Sequence, residues 1–345
     1  MSIPATMKAV LTTTNKTIAM KKIPVPTIDN YEVLVKVAAN ALNPTDWKHV
    51  RYGSTPDLIC GVDYAGTIAK VGSAVTTFAV GDRVAGFVHG GQYADRGAFA
   101  EYVKTPTELT WKVPDNLTDE AAATLGCGAW TAVQTLYYPG YLGLVEPPAK
   151  TDKGEWVFIY GGSTSVGMYA IQFAHLSGYK VATVASPKHH DFLKSYGADV
   201  VVDYRASDAI AQLQAATNGS IHVGLDTIAE VETQSFSVKT FGSGPGKLIT
   251  ILNAQPDAQA IRSDVQIQAS LLYTVLGRAW GTMPAQPDHR KHIAAFLKKF
   301  PDLFKSGTIK PNPTKLFEGG LNAVSEGFEY MIAGKNSGEK IVFKQ

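Results

Sequence analysis

Cysteine is scarce in this chain of 345 residues, which contains only Cys60 and Cys127. Two thiols cannot form the disulfide framework of a small secreted protein, and they cannot form a four-cysteine zinc site. The cysteine content therefore favours a reducing compartment. We expect the protein to be cytoplasmic.

The chain also lacks an excess of charge of either sign. It has 32 Lys and Arg residues against 30 Asp and Glu residues, a formal net charge of +2, and no block of like charges. This balance predicts no nucleic-acid partner. Long hydrophobic runs are missing too, because the longest weakly polar stretch, residues 121–133, is too short and too broken by Gly and Thr to span a bilayer. Residues 1–10 contain no apolar signal core. We expect a soluble protein with no membrane association.

The length allows two domains, and the pattern changes along the chain. The first 110 residues contain short apolar segments separated by Gly and Pro, which is typical of a compact β-rich barrel or sandwich. Thr118 precedes two acidic residues and an alanine-rich run, which predicts the start of a helix. Strands are predicted over 7–12, 32–39, 64–71, 83–87 and 99–103.

From Trp156 the sequence alternates between predicted strands and helices. Strands are predicted over 156–160, 180–185, 200–203, 221–226 and 247–252, with helices over 166–177 and 188–196. Such alternation is typical of an α/β domain with a doubly wound parallel sheet. After about residue 285, helices over 289–300 and 319–332 and a strand over 340–343 are expected to return to the first domain. The predicted domains are 1–127, 128–286 and a returning segment, 287–345.

A glycine-containing segment follows the strand predicted at 156–160 and opens the next helix. A dinucleotide site needs Gly where the backbone turns sharply and approaches the pyrophosphate, and it needs backbone N–H groups at a helix N-terminus. Gly162 and Gly167 suit these roles. An ordinary strand-to-helix turn has the same pattern, but the βα units that follow favour a dinucleotide site. The predicted cofactor-binding turn comprises Gly162, Ser163, Thr164, Ser165, Val166 and Gly167.

The end of the following strand indicates which cofactor is bound. NAD enzymes place an acid about twenty residues after the glycines, where it binds the ribose 2′-hydroxyl. This chain instead has Ser186, Lys188 and His189, and Tyr204 follows the next strand. A hydroxyl, an ammonium group and a phenol suit a 2′-phosphate, although each side chain taken alone is equally consistent with a solvated surface. The sequence predicts NADPH.

Several motifs together resemble the medium-chain dehydrogenase/reductase superfamily, and the match covers essentially the whole chain. Within it, the sequence is most similar to zinc-independent, quinone-oxidoreductase-like members and to a fungal branch with trans-acting enoyl reductases of polyketide assembly and toxin-cluster reductases. The resemblance implies a GroES-like catalytic domain, a Rossmann domain and a cleft between them that holds NADPH. The motifs are Asn43-Pro-Thr-Asp-Trp-Lys48, Gly61-Val-Asp-Tyr-Ala-Gly66 with Val71-Gly72, Gly81-Asp-Arg-Val84, Gly97-Ala-Phe-Ala-Glu-Tyr102, Gly161–Gly167 and Gly334–Val342.

The chain departs from the zinc-dependent relatives at the metal ligands. A catalytic zinc needs three protein ligands of the Cys, His or carboxylate type. Asn43 stands where those relatives have Cys, and Val62 stands where they have His, so Cys127 alone remains. No Cys lies between residues 86 and 101, where the structural zinc lobe would be. We expect no metal.

The resemblance also implies site residues. Lys48 is similar to a lysine near the nicotinamide ribose, and Tyr52 matches in approximate position a tyrosine near the substrate. Alternatives remain, because Lys48 could pair with Asp46 or Asp63, and Tyr52 could be a surface aromatic residue. Further cofactor-binding residues are Thr45, Asp46, Trp47, Ile251, Leu252 and Lys340. Substrate-channel residues, several of which could equally be core residues, are Thr124, Gly126, Cys127, Trp130, Thr131, Leu271, Leu272, Tyr273 and Val275.

Without zinc the enzyme cannot polarise an alcohol or ketone as a Lewis acid, which favours a conjugated acceptor. We therefore expect an NADPH-dependent reductase of activated C=C bonds that acts on a hydrophobic small molecule or on an acyl chain bound to a carrier. A quinone reductase is a related alternative, and an NADPH-binding protein without turnover is an alternative of another class. Monomer and homodimer both remain open.

Overall fold

The structure is a computed structural model that describes residues 3–53 and 55–345. The chain divides into two compact units. One contains the residues up to Cys127 together with Val275–Gln345, and the other is Gly128–Thr274. In the described part of the chain, no helix combines the length and the hydropathy needed to cross a bilayer.

Short strands dominate the N-terminal segment. Strand β6 begins three residues later than the strand predicted at 99–103, because the N–H groups of Ala98 and Phe99 instead donate to the carbonyls of Gly61 and Cys60. The elements in chain order are β1 (Thr6–Thr12), β2 (Ile18–Pro24), β3 (Glu32–Ala41), α1 (Pro44–Tyr52), β4 (Asp63–Val71), β5 (Arg83–Phe87), β6 (Tyr102–Pro106), a 3-10 helix (Thr107–Leu109), β7 (Thr110–Lys112), α2 (Asp119–Ala123) and α3 (Cys127–Tyr137).

The middle segment alternates strands and helices as the sequence predicts. The helix predicted at 188–196 is shorter, since a 3-10 turn over Pro187–His189 precedes it. The elements are β8 (Trp156–Tyr160), α4 (Ser165–Leu176), β9 (Lys180–Val184), α5 (His190–Lys194), β10 (Val200–Val202), α6 (Ala209–Thr217), β11 (Ile221–Asp226), α7 (Val231–Thr240), β12 (Gly246–Thr250), α8 (Pro256–Ile261) and β13 (Val265–Ala269), followed by a 3-10 helix (Leu272–Leu276).

The returning segment contains more elements than the sequence predicts. The helix predicted at 289–300 ends at Leu297 and a second helix follows it, and the helix predicted at 319–332 begins with a 3-10 turn over Gly320–Ala323. The elements are α9 (Pro287–Leu297), α10 (Phe300–Lys305), β14 (Thr314–Phe317), α11 (Val324–Ile332) and β15 (Lys340–Lys344).

The sheet of the first unit has the strand order β14-β15-β3-β4-β5-β7, and β6 also pairs with β3. Strand β15 runs antiparallel to β3, with Val342 opposite Ala41. Strands β1 and β2 form a separate antiparallel pair. This β-rich unit confirms the GroES-like domain expected from the sequence. The last strand lies inside the sheet, where it places Lys340 close to the start of α1.

The sheet of the second unit is parallel, with the order β10-β9-β8-β11-β12-β13. This topology confirms the doubly wound Rossmann sheet. Its core consists of apolar side chains from the strands and the covering helices, including Phe158, Val184, Leu213 and Leu248. Because all strands run the same way, the segments that follow them meet at one edge of the sheet, where ligands of such folds bind.

Candidate functional site

The turn after β8 is built for close backbone packing. Gly161 has a φ of +79°, a conformation that side chains with a Cβ rarely adopt. A Cβ on Gly162 would lie 2.3 Å from Oγ1 of Thr183, and one on Gly167 would lie 2.2 Å from the carbonyl oxygen of Gly161. The glycines therefore let the strand end, the turn and the first turn of α4 approach one another, as a pyrophosphate-binding turn requires.

Threonine hydroxyls hold this turn in place. Thr164 is the N-cap of α4, and its Oγ1 accepts a hydrogen bond of 2.9 Å from the N–H of Gly167. Thr227, which follows β11, lies 2.8 Å from the Thr164 hydroxyl and donates to the carbonyl of Tyr160. Ser163, Ser165 and Val166 are half-buried around the same turn. The supporting threonines were not predicted as site residues.

Ser186 and Tyr204 come to the same edge of the sheet. Each lies two residues beyond one member of the paired positions Val184 and Val202. Lys188 is exposed on the 3-10 turn that Ser186 opens, and Tyr204 is 41% exposed. His189 is half-buried, and burial followed by the charges of Lys188 and His190 lowers the pKa of its imidazole. Ser186 and Tyr204 thus follow adjacent strands, and Lys188 and His189 lie in the turn that begins after Ser186.

Two more strand ends complete this edge. Ile251 and Leu252 follow β12, and Leu252 is 45% exposed. Asp226, the last residue of β11, is fully buried and accepts hydrogen bonds from Ile228 N–H, Ala229 N–H and the Thr233 hydroxyl. Burial raises the pKa of this carboxyl group even though those bonds oppose the shift. Asp226 orders the loop after β11 and was not predicted as a site residue.

Helix α1 of the first unit carries five of the other predicted site residues, and it was not predicted from the sequence. Asn43 precedes it, Pro44 is at its first position, and the Asp46 carboxylate accepts a 2.7 Å hydrogen bond from the Asn43 N–H. This arrangement satisfies a backbone donor at the helix start. The segment Asn-Pro-x-Asp was the available sequence signal.

Lys48 and Tyr52 lie one turn apart on one face of α1. The Lys48 ammonium nitrogen is 5.7 Å from the centroid of the Trp47 ring, and the Tyr52 ring is 6.4 Å from the same ring. Lys48 is half-buried, and Tyr52 is 70% exposed. Within the residues that the structure describes, Lys48 forms no ion pair with Asp46 or Asp63. Thr45 and Trp47 are half-buried on the same helix.

Asp63 pairs with a different lysine. Its carboxylate is fully buried on β4 and lies 3.4 Å from the ammonium group of Lys340 on β15, which is 3% exposed. Asn43 joins the two, because its Nδ2 donates to Asp63 at 2.8 Å and its Oδ1 accepts from Lys340. Burial raises the pKa of Asp63, and the charge of Lys340 opposes that rise. Lys340, a predicted cofactor residue, is thus committed to this buried network.

The other carboxylate oxygen of Asp63 accepts a hydrogen bond from the backbone at the start of α3. The N–H of Cys127 donates to it at 2.6 Å. A Cβ on Gly126 would lie 2.2 Å from the same oxygen, so only glycine fits there. Gly126 and Cys127, both predicted substrate residues, therefore contact the buried network. A lone Asp within an apolar strand was the signal that a buried partner existed.

Replacement of Asp46 by asparagine tests the electrostatic cost of the helix cap. Asp46 is 2% exposed, and burial raises its pKa well above the usual range. The folded state therefore holds this proton more tightly than the unfolded state, whose pKa is about 3.9. Wild-type stability should fall as pH rises above about 4 toward the raised pKa. Asparagine keeps the cap acceptor and carries no charge.

We therefore expect the Tm of Asp46→Asn minus that of the wild type to become more positive between pH 4.5 and pH 8. Thermal unfolding of both proteins in the same buffers measures this difference. A difference that is constant with pH would show that Asp46 is not destabilised by ionisation. Any hydrogen bond that the new amide fails to make adds an offset that does not change with pH.

The predicted substrate residues are mostly buried. Thr124 and Trp130 are completely buried, Thr131 is 6% exposed, and Thr124 donates to the carbonyl of Ala121. Gln134 of α3 donates to the Thr274 hydroxyl at 2.8 Å, which ties α3 to the segment after β13. That segment contains the remaining predicted substrate residues, Leu271, Leu272, Tyr273 and Val275. Leu271 is half-buried and the other three are buried.

Within residues 3–53 and 55–345, no group of three or more His, Cys, Asp or Glu side chains is arranged to hold a metal ion. Asn43 is engaged with Asp63 and Lys340, and Val62 offers no donor atom. An ammonium group beside Asp63 also disfavours a second cation there.

Comparison of the sequence with family models gives two matches. Residues 29–115 match the alcohol dehydrogenase GroES-like domain, and residues 165–286 match the zinc-binding dehydrogenase domain. A trans-enoyl reductase of Alternaria alternata is 38% identical over 345 aligned residues, which cover 98% of this chain and 99% of that protein. A zinc-type alcohol dehydrogenase-like protein of Schizosaccharomyces pombe is 34% identical over 334 residues, covering 93% and 94%.

Comparison with solved structures supports the same fold. The crystal structure of the CurK enoyl reductase superposes with a TM-score of 0.80 and covers 98% of this chain and 99% of that one. The two sequences are 23% identical, so this likeness bears on the fold alone.

Proposed function

Because this chain belongs to the medium-chain dehydrogenase/reductase family, a family of oxidoreductases that bind nicotinamide cofactors, we propose that it is an NADPH-dependent reductase of C=C bonds conjugated to a carbonyl group. The observation that carries the proposal is the combination of a pyrophosphate-binding turn with a metal position that an Asn–Asp–Lys network occupies. The name of the Alternaria relative supports the reaction class.

The residues at the edge of the parallel sheet fit a dinucleotide. The turn from Gly161 to Gly167 is too crowded for side chains and places the N-terminus of α4 where a pyrophosphate would bind. Ser186, Lys188 and Tyr204 would take the 2′-phosphate. Asp203, an acid near this pocket, forms an ion pair with the Arg205 guanidinium at 3.0 Å. These features favour NADPH over NADH.

Cofactor preference gives a testable prediction. Charge-assisted hydrogen bonds contribute on the order of 1.5 to 3 kcal/mol, and each 1.4 kcal/mol is about tenfold in affinity. Replacing both Ser186 and Lys188 by alanine should therefore raise the Kd of NADPH roughly tenfold to a thousandfold while the Kd of NADH changes little. Fluorescence titration with both cofactors measures this.

Lys194→Ala is a suitable control for that titration, since Lys194 is an exposed lysine on the next helix. It should leave both affinities unchanged. Equal binding of NADH and NADPH by the wild type would contradict the assignment of the pocket.

Zinc, which the zinc-dependent branch of the family uses, does not fit this donor set. Asn43 would have to release both Asp63 and Lys340 in order to bind a metal, and an amide is a poor zinc ligand. Cys127 alone cannot hold the ion. We infer a zinc-free reaction, so the carbonyl oxygen of the substrate must be stabilised by hydrogen-bond donors instead.

NADPH, when bound, supplies a hydride to the β carbon of the conjugated alkene. Negative charge then develops on the carbonyl oxygen of the substrate, and donors that are already in place there lower the barrier. Lys48 is a half-buried lysine of α1, and Tyr52, one turn away, can donate a proton. We assign Lys48 to the positioning of the nicotinamide ribose and reaction centre, and Tyr52 to stabilisation or protonation of the enolate.

The substrate is proposed to be an enoyl thioester delivered on an acyl carrier, because the named relative is a trans-enoyl reductase. The predicted channel residues are small, apolar or buried, which suits an acyl chain better than a charged metabolite. Free enals, enones and quinones belong in the same assay, because they separate an enoyl reductase from a quinone reductase.

Isotope transfer tests the reaction class. NADPH deuterated at C4 should give a product with deuterium at the carbon β to the carbonyl group. Deuterium on a carbinol carbon would mean carbonyl reduction and would overturn the proposal. Cofactor binding without oxidation on enoyl thioesters, enones, enals and quinones would favour a non-catalytic NADPH-binding protein.

A further inference from the structure

Arg278 carries a charge that the rest of the first unit does not neutralise. Its guanidinium carbon lies 5.5 Å from the centroid of the Tyr93 ring. Arg278 is exposed, and within residues 3–53 and 55–345 it has no carboxylate partner. The guanidinium carbon of Arg96 lies 5.7 Å from the centroid of the same ring, but Arg96 is paired with Glu32. Arg278 is therefore available to an anion from outside.

Arg278 is close to His89, whose ring contacts the helix that carries Lys48. Burial lowers the pKa of His89 to about 3, and the charges of His49 and Arg278 contribute to the shift. The His89 ring lies 5.6 Å from the ring of His49, which directly follows Lys48 on α1, and 5.7 Å from the ring of Trp280. The imidazole of His89 is thus neutral, and Arg278 supplies the positive charge beside the rings of His89, His49 and Trp280.

The loop that contains Arg278 is tied to helix α9. A guanidinium nitrogen of Arg290 donates to the carbonyl of Leu276 at 2.9 Å. A Cβ on Gly277 would lie 2.5 Å from Cδ of Arg290, so the loop packs directly on that side chain. Arg290 itself is paired with Glu108. This packing places the loop of Arg278 beside α9.

Helices α9 and α10 present a row of lysines. Lys298 and Lys299, between the two helices, keep right-handed helical dihedral angles (φ −64°, ψ −21° and φ −88°, ψ −20°). The buried face continues across this turn, because the rings of Phe296, Phe300 and Phe304 contact one another in succession. Positions seven residues apart, which lie on nearly the same face of an α-helix, therefore stay on a similar side of this segment. Lys291, Lys298 and Lys305 occupy such positions, and all three are exposed.

These lysines are not neutralised within the described part of the chain. None of the three forms an ion pair there, and the neighbouring Asp302 pairs with neither Lys298 nor Lys305. Residues 287–310 contain six Lys or Arg residues against two Asp residues, whereas the whole chain has a net charge of only +2. The opposite face of the same helices is buried through Phe296, Phe300 and Phe304.

We propose that Arg278, Lys291, Lys298 and Lys305 form a cationic docking surface for an acidic carrier protein that presents the substrate as a thioester on a phosphopantetheine arm. Arg278 binds the phosphate of the arm, and the three lysines bind the acidic surface of the carrier. The proposal rests on the proposed function, since it assumes an enoyl thioester substrate. Charge complementarity of this kind acts on the association rate and weakens as salt increases.

Three crotonyl thioesters test the roles of Arg278 and of the three lysines separately. The N-acetylcysteamine thioester has neither phosphate nor carrier, crotonyl-CoA has phosphate alone, and a crotonyl-loaded acyl carrier protein of net negative charge has both. Lys291→Glu/Lys298→Glu/Lys305→Glu should raise the KM of the carrier-bound substrate about tenfold or more at low salt, with little change for the N-acetylcysteamine thioester. Arg278→Gln should raise the KM of both phosphate-bearing substrates about tenfold.

Lys150→Glu/Lys153→Glu is the matched control, because both lysines are exposed in a loop of the second unit. It should leave all three KM values unchanged. If the wild type and the triple lysine variant have the same KM for the carrier-bound substrate, the proposed docking surface is wrong. Weaker binding of duplex DNA by the variant would not rescue it. No turnover of any thioester by the wild type would instead contradict the proposed function.

A second measurement does not depend on the folding of the charge-reversed variant. Raising the salt concentration with the wild-type enzyme should increase the KM of the carrier-bound thioester steeply, while the KM of the N-acetylcysteamine thioester stays nearly constant. The alanine version of the triple variant should flatten that salt dependence. A salt dependence that the alanine variant leaves unchanged would overturn the proposal.

Discussion

Lys48→Ala is expected to lower kcat for a crotonyl thioester about a hundredfold, because Lys48 is assigned to positioning the reaction centre and a misplacement of about 1 Å can cost that much. The Kd of NADPH should change much less, because the residues proposed to bind the pyrophosphate and the 2′-phosphate, Gly162, Gly167 and Lys188, lie in the other unit. Steady-state kinetics and cofactor titration on the same preparation measure both quantities. Lys48→Arg, which keeps the charge, should retain part of the rate.

Tyr52→Phe separates the two roles assigned to this helix. Solvent can replace a proton donor at a residue that is 70% exposed, so we expect a smaller loss of kcat than for Lys48→Ala. Lys150→Ala, in a loop of the second unit, should leave turnover unchanged. A Lys48→Ala enzyme with normal kcat would remove Lys48 from the reaction.

Lys340→Met is expected to destabilise the protein by about 3 to 5 kcal/mol, because it leaves the carboxylate of Asp63 buried without its cation. Asp63 is completely buried, and the remaining hydrogen bonds from Asn43 and Cys127 do not neutralise it. Thermal or urea unfolding of the variant measures the loss.

Lys344→Met is the matched control for this experiment. Lys344 lies on the same strand, but its ion pair with Glu120 is largely exposed, with 61% of the lysine side chain accessible. Exposed pairs contribute little because water screens them. Similar losses of unfolding free energy in Lys340→Met and Lys344→Met would show that the buried Asp63–Lys340 pair stabilises the protein no more than an exposed pair does.

The parallel sheet was predictable because buried strands read as apolar runs. Trp156–Tyr160 and Ile221–Asp226 match their predicted bounds, and the glycines that follow β8 mark the turn. Strand β13 was missed, since Val265–Ala269 alternates apolar residues with glutamine at the edge of the sheet. Its sequence has the pattern of a half-buried strand without the flanking signals used elsewhere.

The site was harder to predict in the first unit. Helix α1 is short and contains polar residues, so its apolar pattern is weak, although its cap signature from Asn43 to Asp46 was present. Pairing of Lys48 with Asp46 or Asp63 was an alternative that the sequence left open, whereas the structure pairs Asp63 with Lys340. Pairing across distant strands depends on sheet topology, which a local pattern does not contain.

The position of β15 inside its sheet also decides the order in which the two units can be completed during synthesis. Residues 128–274 are contiguous, so every strand of the parallel sheet has been made before Val275 is added. The other unit must wait for Lys340–Lys344, because Val342 pairs with Ala41. The unit that begins first is therefore finished last, and the nascent chain carries Asp63 without its counter-ion until Lys340 has been added.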